Sequence, residues 1–207
     1  MSRELPILFN SEMVRAILDG RKSCTRRIVK GFIPNDAKWG YTAFTPKGCI
    51  SCRGTFADGY GEKFFKLPCE PSDILYVRET WSEGLERYIY RADYSDTEKF
   101  YRNGKEIEMK WKPSIRMPKE AARIWLKVTD VRVERLQEIT EAGATKEGCV
   151  YDVEYALGNT AKGHFKKLWD STIKKAALDT YGWDANPYVF VIEFIRIDKP
   201  EEIINAE

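Results

Sequence analysis

The residues most able to do chemistry lie in "GRKSCTRR", Gly20 to Arg27. A lysine amine, Lys22, stands three residues before a threonine hydroxyl, Thr25. Three arginines, Arg21, Arg26 and Arg27, surround them, and there is no carboxylate in the run. A hydroxyl attacks an amide only when a base takes its proton, and a neutral lysine amine can serve, as in Ser-Lys enzymes. The same arginines can instead grip phosphate, because a guanidinium fork matches phosphate oxygens. The third reading is a solvated strand edge protected by charge. In a regular strand residues three apart face opposite sides, so Lys22 and Thr25 converge only if the chain turns or bulges between them.

Other constellations are weaker. Cys49-Ile-Ser-Cys52, with Cys69 downstream, has a spacing suited to thiolate ligation, but no second close pair completes a four-ligand site, so no metal is expected. The chain has no phosphate loop, dinucleotide fingerprint or paired-histidine motif, and no cofactor is expected. Trp81, Trp183 and Asn186 fall near strand ends, where rings to stack on a base and an amide to bond its edge would suit a cleft. From Lys99 to Lys127 nine cations face three acids, with Phe100, Tyr101 and Trp111 among them and Tyr94 just upstream, a composition that fits either base stacking or a hairpin's own small core.

The elements that must hold these groups follow from pattern. "NSEMVRAILDG" reads as a short helix capped by Asn10 or Ser11 and stopped by Gly20, so the basic run begins where that helix ends. "SDILYVRETW" and "RIWLKVTDVRVERL" read as strands, and "YVFVIEFIRI" as a buried closing strand. "TEAGATKEG" is a short helix between Thr140 and Gly148, and "KGHFKKLWDSTIKKA" carries Phe165, Leu168, Trp169 and Ile173 at helical spacing. Two stretches, about 31–68 and 82–118, read as long excursions with short hairpins rather than core, the second turning at Asn103-Gly104.

At 207 residues, 43% hydrophobic and 13% aromatic, the chain has the material for one packed domain. A formal net charge of +2 gives no global attraction for nucleic acid, but the charge is sorted: five cations and no acid from Gly20 to Lys30, seven acids against three cations from Asp130 to Glu154. Five cysteines, the brief apolar run in "MSRELPILFN" and the lack of a long apolar stretch lead to the expectation of a cytoplasmic protein with reduced thiols and no membrane partner.

Several stretches together resemble the ASCH family, small relatives of the PUA RNA-binding fold. The family signature, G-x-K-x-x-E-x-R after the first helix, is matched by Gly20, Lys22 and Arg27, while Thr25 stands where most members have Glu. Threonine there is similar to small bacterial members that hydrolyse N(4)-acetylcytidine through a Lys, a Thr and a later Glu. The matching Glu falls at Glu147. "DGRKSCTRR", "VRETW" and "GWDANPYVFVIEF" look most like the longer ASCH proteins of phages and prophages. The resemblance implies an α+β fold, a small mixed or antiparallel PUA-like β-barrel flanked by short helices, with the two excursions as insertions. It implies a cleft, lined by the basic run, that binds RNA or a modified nucleobase or nucleoside. The alternative is an amidohydrolase deacylating N(4)-acetylcytidine or a related acylated nucleobase through Lys22, Thr25 and Glu147. A third reading is a phage protein that binds a host protein.

Overall fold

Ser11–Leu18 forms the first helix, α1, as its pattern predicts: the Asn10 side chain accepts from the Met13 amide, and Gly20, at φ +73°, takes the left-handed position that ends it. Its apolar stripe, Val14 and Ile17, is buried in the main core. Before it lies a strand that the sequence reading passes over, β1, Glu4–Leu8. Pro6 obscures it, but at a sheet edge a residue without an N–H is tolerated.

The computed structural model describes residues 2–40, 48–56, 59–84, 87–102, 104–149 and 160–200. After α1 come β2 (Cys24–Ile28), β3 (Lys38–Gly40), β4 (Cys49–Phe56), β5 (Gly59–Lys66), β6 (Ile74–Arg78), β7 (Trp81–Glu83), β8 (Tyr88–Tyr90), β9 (Phe100–Arg102), β10 (Lys105–Ile107) and β11 (Trp125–Arg135). Then follow α2 (Glu141–Lys146), α3 (Ala161–Thr172), α4 (Leu178–Tyr181) and β12 (Tyr188–Ile197).

The central sheet runs β1-β6-β11-β12-β2, with β1 parallel to β6 and the other pairs antiparallel. It is covered on both faces. Alternate residues of β12 serve two cores: Phe190, Ile192 and Phe194 join Val14, Leu75, Val77 and Leu126, whereas Val189 and Val191 join Phe165, Trp169 and Trp183 under α3. That double burial explains the unbroken apolar run of the closing strand.

The fold is α+β, but among the described residues the sheet stays open, with β1 and β2 at its edges, rather than closing into the expected barrel. The reason is visible at those edges. No backbone ladder joins them; the Arg27 guanidinium donates to the Leu8 carbonyl at 3.0 Å, and a cavity occupies the gap.

The first excursion is more ordered than its sequence suggests. β3, β4 and β5 form a three-stranded antiparallel sheet, and Ile50, Leu67 and Cys69 belong to the main core. Its alternation was hidden because Lys63 pairs with the buried Cys52, and Gly61 and Gly59 pair with Gly54 and Phe56. The second excursion holds the hairpins β7–β8 and β9–β10, with Gly104 at φ +73° in the turn of the latter; Asn103 lies outside the described residues. Among the described residues, no helix is long and apolar enough to cross a membrane.

Candidate functional site

The end of α2 is stapled to the chain just before β2. The Ser23 amide donates to the Lys146 carbonyl at 2.9 Å, and Lys22 and Glu147 form an antiparallel bridge. Gly148, at φ +92°, permits that approach: a Cβ there would lie 2.8 Å from Ala16 Cβ and 3.3 Å from Lys22 Cβ. Sequence reasoning assigned Gly148 only the task of stopping a helix.

This staple brings Lys22 and Glu147 together in the interior. Lys22 Nζ donates to Glu147 Oε2 at 2.6 Å and to the Glu147 carbonyl at 2.9 Å, and its side chain is wholly buried. The other oxygen, Oε1, accepts from Arg26 Nη1 at 3.1 Å, and Arg26 Nη2 donates to Glu134 Oε1 at 2.6 Å. Charges thus alternate along Lys22, Glu147, Arg26 and Glu134. Burial works against the Arg26 charge, yet Glu147, Cys24 and Glu134 outweigh it and hold its pKa above the ordinary arginine value.

Thr25 sits on the neighbouring position of β2, opposite Ile192 of β12, and is buried. Its Oγ1 accepts from Arg27 Nη1 at 3.1 Å, and its hydroxyl hydrogen has no acceptor among the described residues. Regular strand geometry starts only at Cys24, so the alternation that would separate Lys22 from Thr25 does not run through both. No hydrogen bond joins Lys22 to Thr25 among the described residues. They share a neighbour instead: Lys22 Nζ and the Arg27 guanidinium lie 5.6 and 5.3 Å from the Phe9 ring centre.

Thr25, Arg26, Arg27 and Glu147 line a single cavity of about 540 Å³, a size typical of small-molecule sites. Lys22 stands behind its wall, reaching it through Glu147. The rest of the lining is largely apolar: Ile7 and Leu8 of β1, Met13 of α1, and Phe165, Leu168 and Trp169 of α3. The helical spacing of the α3 residues puts them on one face, which packs in the second core, and the rings of Phe165 and Trp169, 6.0 Å between centres, also wall the cavity. Helical spacing signals burial and cannot tell a core face from a cavity face.

Burial disfavours the thiolate form of the cysteines around the site. Burial, with Glu147 adding to it, pushes the Cys24 thiol up to about 12; burial and Asp73 do the same to Cys69, which lines the cavity. Cys49 and Cys52 lie three apart on β4, and Cys69 is in the core elsewhere. Among the described residues, no group of three or more His, Cys, Asp or Glu side chains is arranged to hold a metal.

The remaining candidates are placed away from the cavity wall. Arg21 is exposed and bonded to Asp19 at 2.8 Å and to the Gly148 carbonyl at 3.0 Å. Trp81 is buried in a satellite cluster with Met117, Ala121, Ala122 and Trp125. Trp183 packs edge-on behind Phe165, 6.3 Å between centres. Asn186, at φ +47°, is a turn device: its Oδ1 accepts from the Gln137 amide at 2.9 Å and its carbonyl accepts from Arg135 at 3.1 Å. In the second basic stretch Tyr94, Phe100 and Trp111 pack on one another, leaving Tyr101 exposed.

Comparison with family models, with curated proteins and with solved structures finds no match to this chain.

Proposed function

We propose that this chain is an ASCH-type protein whose cavity between β1, β2 and α3 binds a modified nucleobase or nucleoside, free or at an unpaired position in RNA. One observation carries the reading: the polar groups of the basic run and of Glu147 meet aromatic rings across a cavity of nucleoside size. A base needs flat apolar surface for its faces and a few fixed polar groups for its edge. Phe165, Leu168 and Trp169 offer the first. Thr25, with a hydroxyl hydrogen to give, and Arg27 offer the second.

Calorimetric titration with cytidine and N(4)-acetylcytidine, alongside Trp169→Phe and Thr25→Ala, tests it. Micromolar binding that weakens at least tenfold in Thr25→Ala is expected. Failure of both compounds to bind the wild-type protein at millimolar concentration refutes it.

A second reading, amide hydrolysis, is favoured by the environment of the Thr25 oxygen. A hydrogen bond donated to Oγ1 by Arg27 stabilises that oxygen as its proton leaves. Thr25 Oγ1 would add to the acyl carbon, and the C–N bond would break as the leaving amine takes a proton. Water would then cleave the ester, releasing the acid and restoring the hydroxyl. Glu147, on the same cavity wall, is the proton carrier this arrangement favours. Lys22 already donates to Glu147 twice, so it acts here by holding that carboxylate rather than as the base. Chromatographic assay of N(4)-acetylcytidine turnover, lost in Thr25→Ala and Glu147→Gln, is the expected result. No turnover at high wild-type concentration leaves binding alone.

A further inference from the structure

Of the three arginines in the basic run, the fold matches two with carboxylates and leaves one without. Arg21 has Asp19, and Arg26 has Glu147 and Glu134. Arg27 has only neutral acceptors: Thr25 Oγ1 at 3.1 Å, the Arg26 carbonyl at 3.2 Å and the Leu8 carbonyl at 3.0 Å. No carboxylate pairs with it among the described residues. Around the cavity the charges of Lys22 and Arg26 are offset by Glu147 and Glu134, so Arg27 leaves the wall with one uncompensated positive charge.

The geometry points to Arg27 as an anion hook: the cavity takes a small aromatic ligand bearing a carboxylate or phosphate group, which docks on this guanidinium while the ring lies among Phe165, Leu168 and Trp169. This rests on the proposed use of the cavity and narrows it to an anionic ligand class. A guanidinium has five N–H donors. Nη1 and Nη2 make the three bonds above, and Nε–H makes none among the described residues, so at least that donor is open. An open donor of a charged guanidinium bonds a carboxylate or phosphate oxygen strongly. Burial also pulls the Arg27 pKa below the ordinary arginine value, with Glu147 only partly opposing. Arg27 itself is half-buried, so an incoming anion on this wall would meet a partly desolvated charge that no carboxylate offsets among the described residues. The neutral bonds already made fix the fork in advance, so little side-chain freedom is lost on binding.

The test compares matched pairs of probes by isothermal calorimetry at fixed salt: benzoate against benzamide, cytidine 5′-monophosphate against cytidine, and inorganic phosphate alone. The anionic member of at least one pair should bind wild-type protein at least tenfold more tightly than its neutral partner. The pair that responds tells carboxylate from phosphate, and binding of inorganic phosphate by itself tells whether the ring is needed. Arg27→Gln should abolish the preference and Arg27→Lys retain part of it. Equal affinities within every pair for wild-type protein overturn the inference while leaving a nucleoside site intact if cytidine binds. Preference for benzoate with no binding of either cytidine probe upholds the hook, and removes the nucleoside reading when N(4)-acetylcytidine fails as well. Absence of binding by all five probes overturns the hook, and by N(4)-acetylcytidine as well overturns both. Because the wild-type comparison decides, the outcome does not depend on how well the Arg27 variants fold.

Discussion

Glu147→Gln is the perturbation whose consequence the structure states most sharply. Glu147 is 4% exposed and is the shared counter-charge of two buried cations, with oxygens 2.6 Å from Lys22 Nζ and 3.1 Å from Arg26 Nη1. Glutamine has nearly the same shape but no charge, and its amide nitrogen presents hydrogens to whichever cation it faces. Arg26 keeps Glu134 as a charged partner, but Lys22 keeps only neutral acceptors among the described residues, the carbonyl of residue 147 and at most the new amide oxygen. Breaking a buried pair from one side costs roughly 3 to 5 kcal/mol, against a total stability of about 5 to 15 kcal/mol for an ordinary domain. With a urea dependence of about 2 to 3 kcal/mol per molar, the unfolding midpoint should fall by about 1 to 2.5 M. Lys22→Met should cost less, because Glu147 then keeps Arg26 as partner. In the double variant Lys22→Met/Glu147→Gln the losses should fall short of additivity by about 0.5 to 3 kcal/mol, the range for residues in contact. Urea unfolding followed by tryptophan fluorescence measures all four proteins. A Glu147→Gln midpoint within 0.3 M of wild type (a margin of roughly 1 kcal/mol) refutes the reasoning, since it would mean that the buried cations do not depend on this carboxylate.

Other outcomes follow from the same geometry. Gly148→Ala places a methyl 2.8 Å from Ala16 Cβ at a backbone angle of φ +92°, and should lower stability by about 2 kcal/mol or more, read by urea midpoint. Thr25→Ala, which removes a buried methyl and one acceptor of Arg27, should lower that midpoint by less than Glu147→Gln does while weakening ligand binding or abolishing turnover, which separates its role from that of Glu147. Cys24 and Cys69 are raised from 9.0 to about 12 in the folded protein. The unfolded chain therefore loses those protons first, so stability should hold below pH 9 and fall as pH climbs from 9 towards 12. Urea midpoints at pH 7, 8 and 10 check the sign. In native protein at pH 8 neither thiol should react with iodoacetamide, and both should react once unfolded.

The regular elements were the most legible part of the sequence, because periodicity and caps are local. The Asn10 cap, the Gly20 stop and the strands containing Leu75, Leu126 and Val191 stand where pattern puts them. β1 was illegible because five residues with a central proline give no periodic signal; only pairing with β6 makes them a strand. Open versus closed sheet was equally hidden, since it turns on whether β1 and β2 share a ladder, a contact between chain positions far apart. For the site, residue types pointed to the basic run, but not to which arginine lacks a counter-charge. That depends on Glu134 and Glu147, more than a hundred residues downstream. Trp81 and Asn186 show the converse: residue types suited to a base, used instead for packing and for a turn.

The buried charges are themselves an argument about purpose. A run of alternating ions is seldom the best way to stabilise an interior, because apolar replacements of similar volume are often as stable or more so. Here the run lies not in the middle of a core but along one wall of a cavity, and each ion fixes the next. Glu134 orients Arg26, while Arg26 and Lys22 together hold both oxygens of Glu147 against the space where a ligand would lie. The cost of burying these charges is repaid in position, since a carboxylate held at two oxygens cannot swing away from, or collapse onto, the neighbouring arginine. Arg27 is thereby left free of Glu147, with an open donor on the same wall as the threonine hydroxyl. A Glu147 free to rotate could instead turn towards Arg27, the one arginine of the basic run that has no carboxylate partner among the described residues.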